Sequence, residues 1–488
     1  MTRLSAAVPA GGAALWPSYD PTAHGVGIVH LGLGNFARAH LLAYTDDALA
    51  QAGGDWRVTG VSLRGTAVAE ALNPQDGRYT LVTRGAATQA RVIGALAGVI
   101  AGPDTGAQAL AAMTDPGCRI VSITVTEKGY GITSEGRLDR AHPAVAADLR
   151  QPAAPAGVIG LIVAALAQRR AAGTGPFTVL SCDNLSHNGQ KLRGAVLDFA
   201  QATEDAALAD WIGREATFPS TMVDRITPAS TDTTAATARS LTGYDDLAAV
   251  ETEPFTQWVV EDRFCAGRPA WERTGVLFVA DVAPYEQMKL RMLNGAHSML
   301  AYSGQLSGKT HVRDVMADPA HALLVRRHLA AAAATVTGLN IDLGAYAAAL
   351  AERFANPAIA HATAQITMDG TQKLPQRITA AALEAIAAGR TPRPFLFALG
   401  AWIAYLTRRD SAGALIPVDD PKAALLGAAL AKARTPADTL AAVAAVCPDI
   451  LPPALAQGAV GTALADIVAM IQREGMATAI LREGEFGR

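Results

Sequence analysis

The sequence predicts an α/β fold in two parts, a parallel sheet with helical crossovers followed by a mostly α-helical second domain. Through the first third, short apolar strand-like runs alternate with helix-like segments, the pattern of βαβ units. After about Tyr285 the texture shifts to long Ala- and Leu-rich stretches of helical periodicity, broken at Gly338, Pro357 and Pro392. Size agrees: 488 residues, half of them apolar, exceed one ordinary core and divide naturally into domains 1–284 and 285–488.

The elements follow in order. Residues 26–31 form a short apolar run that ends in a glycine-rich turn, and 38–50 can follow as a helix. Residues 56–63 are β-rich, 119–126 are densely β-branched, and 177–181 make a further strand. The Pro/Ala segment 151–155 reads as a loop. In the second part, helical patterns cover 321–336, 345–354, 378–388 and 421–433. At the start of the chain, Arg3 and a run of small residues superficially suggest a signal peptide. Pro9, Gly11 and Gly12 break it and no Leu-rich segment follows, so it reads as a loose arm.

Composition narrows the function classes. A net charge of −3 gives no general attraction to nucleic acid or an anionic membrane. The longest apolar stretch, 157–167, is too short to span a bilayer and runs into Gln168, Arg169 and Arg170. Cys118, Cys182, Cys265 and Cys447 are far apart and form no CxxC pair, which fits a reducing cytoplasm and provides no local zinc site. A cytoplasmic protein is expected, a monomer or small homo-oligomer whose partner is a small molecule.

The segment Val29-His30-Leu31-Gly32-Leu33-Gly34-Asn35-Phe36-Ala37-Arg38 fits strand, G-x-G-x-x-A turn, helix. Gly32 permits the sharp turn, Gly34 lets the backbone approach a pyrophosphate, and Ala37 allows close helix–strand packing. The helix start that follows offers free N–H groups to the phosphates. The domain is therefore expected to be Rossmann-like and to bind a dinucleotide with Gly32, Gly34, Asn35, Phe36 and Ala37. The alternative is an ordinary strand–helix turn. An acidic residue after the second strand would take a ribose 2′-hydroxyl, but Arg64 and Gly65 stand there. Arg64 could meet a 2′-phosphate, stack on adenine, or simply be solvated, so NAD and NADP both remain open at this point.

In the segment 285–297, Glu286, Lys289, Asn294 and His297 fall within an arc of about 140° at 3.6 residues per turn. A solvated helix face is the plain alternative, although Asn and His are poor choices for one in so Ala-rich a chain. Together they suit alcohol oxidation without metal. A base must take the hydroxyl proton before hydride leaves, and a lysine with a burial-lowered pKa can be that base. Carboxamides can donate to the developing oxyanion. A histidine one turn away can hold the hydroxyl or orient the lysine, and a nearby carboxylate can pass the proton to solvent.

Lys-x-x-x-x-Asn-x-x-His, with Gly-Leu-Gly-Asn-Phe-x-Arg-x-His at 32–40, resembles the polyol-specific long-chain dehydrogenases, which include mannitol 2-dehydrogenases and fructuronate reductases (mannonate oxidoreductases). The resemblance continues through Pro74-Gln75-Asp76-Gly77, the segment 124–130, Ser181-Cys182-Asp183-Asn184, Val223-Asp224-Arg225-Ile226 and Asp369-Gly370-Thr371-Gln372-Lys373, covering nearly the whole chain in order. It implies an active site in the cleft between the domains, with Lys289 as general base, Asn184 and Asn294 as oxyanion donors, and His297 positioning substrate and base. It further implies Glu286 in proton exchange, Glu127 beside the nicotinamide, and Asp224 and Lys373 on substrate hydroxyls. An Asp224–Arg225 ion pair is the structural alternative for Asp224.

There are departures. Gln365 and Met368 stand where the mannitol branch has Arg and His, while 365–375 is more similar to fructuronate reductases, where Lys373 or Arg377 would meet a carboxylate. The segment 184–189 is more similar to the mannitol branch. The cofactor implied is NAD, with NADP not excluded, and the substrate a sugar alcohol or sugar acid. A nicotinamide-binding regulatory protein that has lost turnover is the competing class, and the intact Lys289, Asn184, Asn294 and His297 argue against it. A zinc alcohol dehydrogenase would need a Cys/His cluster, and His30, His40, His187 and His297 have no such spacing.

Overall fold

The structure, a computed structural model, describes residues 2–7, 12–126, 129–133, 136–203, 205–409, 411 and 413–486. The chain forms two compact units, Met1–Ala283 and Pro284–Arg488.

The first unit contains β1 (Val26–Leu31), β2 (Arg57–Val61), β3 (Tyr79–Arg84), β4 (Thr88–Ile93), β5 (Leu96–Ile100), β6 (Ile120–Ile123), β7 (Thr178–Ser181), β8 (Thr221–Asp224), β9 (Val250–Thr252), β10 (Gln257–Glu261) and β11 (Leu277–Val279). Five of them make a wholly parallel sheet in the order β5-β2-β1-β6-β7. The chain builds outward from β1 on one side, then returns to add β6 on the other. The carboxyl ends of β1 and β6 therefore form a topological switch point, where such sheets bind ligands. The central and returning strands β1, β6 and β7 are buried along nearly their whole length, which explains their apolar and β-branched runs. Val29, Leu31, Val121 and Val179 face a core shared with Thr105–Thr114, Val158–Ala171 and Asn188–Ala202. Ile28, Ile120 and Leu180 face the other core, against Leu41–Ala52. Two small sheets, β4-β3-β9 and β11-β10-β8, complete the unit.

Two expectations need correction here. The helix after β1 starts at Asn35 rather than 38, breaks at His40 (φ −115°, ψ −82°), and resumes over Leu41–Ala52. Its N-cap is Gly34, which has no side chain to signal the start. The N-terminal arm is not loose where it is described. Leu4 is buried, its N–H donates to Asp245 O at 3.0 Å, and the N–H groups of Ala13 and Ala14 donate to Leu241 O.

The second unit is helical, and the patterns expected there correspond to Pro319–Ala333, Leu343–Phe354, Ala380–Ala387 and Ala423–Leu430. At its centre the helix Arg393–Leu406, apolar on every side, packs against Gly295–Leu306 and Gly458–Glu474. Two helical runs are each interrupted by a π segment: Lys289–Asn294, between Ala283–Met288 and Gly295–Leu306, and Pro375–Thr379, between Gly370–Leu374 and Ala380–Ala387. Pro375 cannot donate an i→i−4 hydrogen bond, and the wider turn accommodates it. The π segments pack together beside Gly295, where a Cβ would lie 2.9 Å from the Arg377 carbonyl oxygen. Among the described residues, no helix is long and apolar enough to cross a membrane.

Candidate active site

At the end of β1, Gly32 has φ +90°, and a Cβ on it would come within 2.2 Å of the Thr124 carbonyl oxygen. Only glycine fits. Its N–H and that of Leu33 donate to Val61 O at 2.9 and 3.1 Å, fixing the turn to β2. Gly34 differs. It is exposed, and nothing lies closer to its would-be Cβ than Gly32 O at 3.9 Å. A bare backbone facing open space, followed by a helix start with unpaired N–H groups, is what a pyrophosphate requires, so the residues present fit a dinucleotide.

The rest of the motif holds the turn in place. Ala37 is fully buried. Asn35 Oδ1 accepts from Arg38 Nη2 at 2.6 Å, and its Nδ2 donates to Ser230 Oγ at 3.2 Å. Phe36 stacks on His40, with 5.0 Å between ring centroids. The buried Arg38 guanidinium donates to Ala248 O, and its own carbonyl accepts from Tyr79 OH at 2.6 Å. Asn35 and Phe36 can therefore serve a phosphate through their backbone, their side chains being engaged in packing.

Beyond the turn, three expected groups lie at the carboxyl ends of β2, β7 and β8, the last in a separate sheet. Arg64 is exposed just after β2, in a turn closed by Ser62 Oγ donating to Gly65 O at 2.7 Å. Asn184 is exposed just after β7, and Asp224 is the buried last residue of β8. Arg225 is engaged with the backbone, donating to the carbonyls of Ala39 and Glu253, and burial lowers its pKa to about 10. Glu127 lies outside the described residues.

Two residues that lie within the quoted motifs, but were given no role there, hold this edge together. Asp183 Oδ2 accepts from Val125 N at 2.8 Å and from Tyr130 OH at 2.6 Å, tying the loop after β6 to the one carrying Asn184. Buried Asn188 donates to Thr221 O at 3.0 Å and accepts from Thr221 N at 2.9 Å, tying that same loop to β8. The close approach behind this tie is visible only in the structure, where a Cβ on the adjacent Gly189 would meet Phe218 O at 2.5 Å.

In the second unit, Glu286, Lys289 and His297 are all buried, which rules out a merely solvated face. Lys289 and Asn294 are the first and last residues of the π segment. A turn closed from i to i+5 brings them closer to one line along the helix than the α spacing assumed from sequence. His297 contacts Phe354 and His361, at 4.6 and 5.2 Å between ring centroids, and its Nε2 is buried with no partner among the described residues. Burial first, then the positive fields of His361, Arg353, Arg377 and Lys289, holds its pKa well below the ordinary value. The imidazole is thus neutral at neutral pH, able to bond a hydroxyl without adding charge beside Lys289.

Lys373 lies on Gly370–Leu374, the helix that leads into the second π segment, donating to Met368 O at 2.6 Å with Asp369 at 3.9 Å. Gln365 and Met368 are exposed, and Arg377 donates to Ser298 Oγ at 3.3 Å. No group of three or more His, Cys, Asp or Glu among the described residues is arranged to hold a metal ion.

Comparison with known proteins gives matches along most of the chain. Residues 26–273 match the family model for the mannitol dehydrogenase Rossmann domain, and 281–467 match that for the mannitol dehydrogenase C-terminal domain. D-mannonate oxidoreductase of Escherichia coli (strain K12) is 42% identical over 413 residues, 83% of this chain and 85% of that protein. Mannitol 2-dehydrogenase of Cereibacter sphaeroides is 40% identical over 434 residues, 87% of this chain and 90% of that protein. Among solved structures, Pseudomonas fluorescens mannitol 2-dehydrogenase, in ternary complex with NAD and D-mannitol, superposes with a TM-score of 0.82 at 36% identity, covering 96% of each chain.

Proposed function

The chain belongs to the mannitol dehydrogenase family, and from that premise we propose that it interconverts the C2 hydroxyl of a linear polyol or aldonate with the corresponding ketose or ketouronate, using NAD. The observation that carries this reading is a buried lysine and an asparagine closing one π turn, one helical turn from an imidazole kept neutral. NAD in the neighbouring P. fluorescens complex supports the cofactor choice.

NAD would be held by Gly32, Gly34 and the first-turn N–H groups of Asn35, Phe36 and Ala37, with Arg64 toward the adenosine and Glu127 toward the nicotinamide. When bound, its nicotinamide supplies the hydride acceptor. Lys289, a buried amine, takes the hydroxyl proton. Asn294 and Asn184 donate to the oxygen as it becomes negative. His297 holds the hydroxyl through Nε2, Glu286 passes the proton outward, and Asp224 and Lys373 bind further hydroxyls. If the substrate ends in a carboxylate, Lys373 and Arg377 are the cations that meet it, and the replacement of Arg and His by Gln365 and Met368 favours the acid over the neutral polyol. The enzyme would work in a reducing cytoplasm, where its unpaired cysteines are stable.

The test is oxidation of NADH and NADPH by purified protein against fructose, fructuronate and tagaturonate, followed by Lys289→Ala. Removing a general base lowers kcat by about 10²–10⁴-fold and leaves cofactor affinity, read by fluorescence titration, nearly unchanged. Lost cofactor binding with undiminished turnover of the bound fraction would contradict the role given to Lys289.

A further inference from the structure

His30 lies on β1, two residues before the glycine turn, and is wholly buried in the parallel sheet. Burying an imidazole costs least when each nitrogen has a partner. Nδ1 is 2.8 Å from Ser122 Oγ, and Nε2 is 2.9 Å from Thr124 Oγ1. The Thr124 hydroxyl lies 2.9 Å from the Gly32 carbonyl oxygen. A carbonyl can only accept and a hydroxyl has one proton to give, so Thr124 donates to Gly32 and must accept from Nε2–H. The ring is therefore the Nε2–H tautomer, and its bare Nδ1 accepts from Ser122. The chain of donors has one direction, from Ser122 through His30 and Thr124 to the carbonyl of Gly32.

That carbonyl belongs to the residue whose φ of +90° makes the turn, and the Thr124 backbone is already pressed against its Cα. We propose that His30 is a positioning residue for the dinucleotide, holding the glycine turn in its binding conformation through the Thr124 hydroxyl. Burial, only partly offset by the Gly32 backbone facing the ring, lowers the His30 pKa to about 4, so the ring is neutral at neutral pH. Ser122 and Thr124 follow each other at alternate positions on and just beyond β6, so the relay spans the switch point from one strand to the other.

This rests on the dinucleotide reading of the turn, and the experiment separates the two. NADH and NADPH binding is titrated by fluorescence for the unvaried chain, Thr124→Val, His30→Gln and His30→Asn, with kcat and melting temperature measured alongside. Thr124→Val removes the hydroxyl at constant shape. Gln places an amide donor near the Nε2 position, whereas Asn reaches only the Nδ1 position. Loss of one hydrogen bond predicts NADH affinity about five- to tenfold weaker in Thr124→Val and His30→Asn, with kcat at saturating cofactor within about twofold. His30→Gln restores affinity to within about twofold of the unvaried chain. Unchanged affinity in Thr124→Val, or equal losses in the Gln and Asn variants, overturns the relay. Should the His30 variants fail to fold, Thr124→Val alone decides. An unvaried chain that binds neither nucleotide overturns the dinucleotide reading itself.

Discussion

Gly32 and Gly34 stand two residues apart in one motif, yet the fold asks different things of them. Gly32→Ala would need φ +90° and put a methyl against the Thr124 carbonyl, costing about 3 kcal/mol or more. A fall of several degrees in melting temperature is expected. Gly34→Ala meets no neighbour, so the melting temperature should hold while NADH affinity falls at least about tenfold, because the methyl occupies the approach of the phosphates. Equal melting temperatures for the two variants would refute the distinction. Both glycines were visible in the sequence as a motif, but the difference between them was not, since it depends on Thr124, 92 positions away from Gly32. Lys289 and His297 stood out in the sequence through their spacing with Asn294. Their burial did not, because a helical wheel does not say which face a tertiary neighbour covers.

At the level of elements, the parallel strands were readable because burial on both faces imposes a run of apolar and β-branched residues with a turn at its end. β1 has the bounds its composition suggested. The helix after it was placed three residues late although the glycine motif marked its start, and its break at His40 carries no boundary signal in the chain itself. The π segments were missed for a related reason: a period of 3.6 was assumed throughout, and only Pro375 hinted otherwise. Their contact is testable. Gly295→Ala would set a methyl 2.9 Å from the Arg377 carbonyl and 3.2 Å from His328 Nε2, wedging the two π segments apart. A loss of about 1–3 kcal/mol in denaturant unfolding is expected, together with a lower kcat, because Lys289 and Asn294 belong to the displaced turn. An Ala variant with full activity and stability would show that the crossing has slack.

For the molecule as a whole, buried neutral histidines set a response to acid. His30 in the first unit and His328 in the second are both lowered by burial to about 4. In the unfolded chain they titrate near 6.5. Below that pH the unfolded state binds protons that the folded state refuses, so their contribution is complete above pH 6.5 and is lost as pH falls toward 4. At pH 5 the linkage amounts to about 2 kcal/mol for each. His297, His321 and His361 shift in the same direction. Denaturation midpoints measured at pH 7 and pH 5 should fall with acid, and equal midpoints would refute the assignment.

The pairing of Leu4 with Asp245 has a consequence for biosynthesis. When residue 4 is made, its partner is still some 240 codons from translation. At about 5–20 residues per second the ribosome takes roughly 10–50 seconds to supply it. Throughout that interval the amide of residue 4 lacks its native acceptor, and this pairing of the nascent arm cannot form until the first unit is nearly complete.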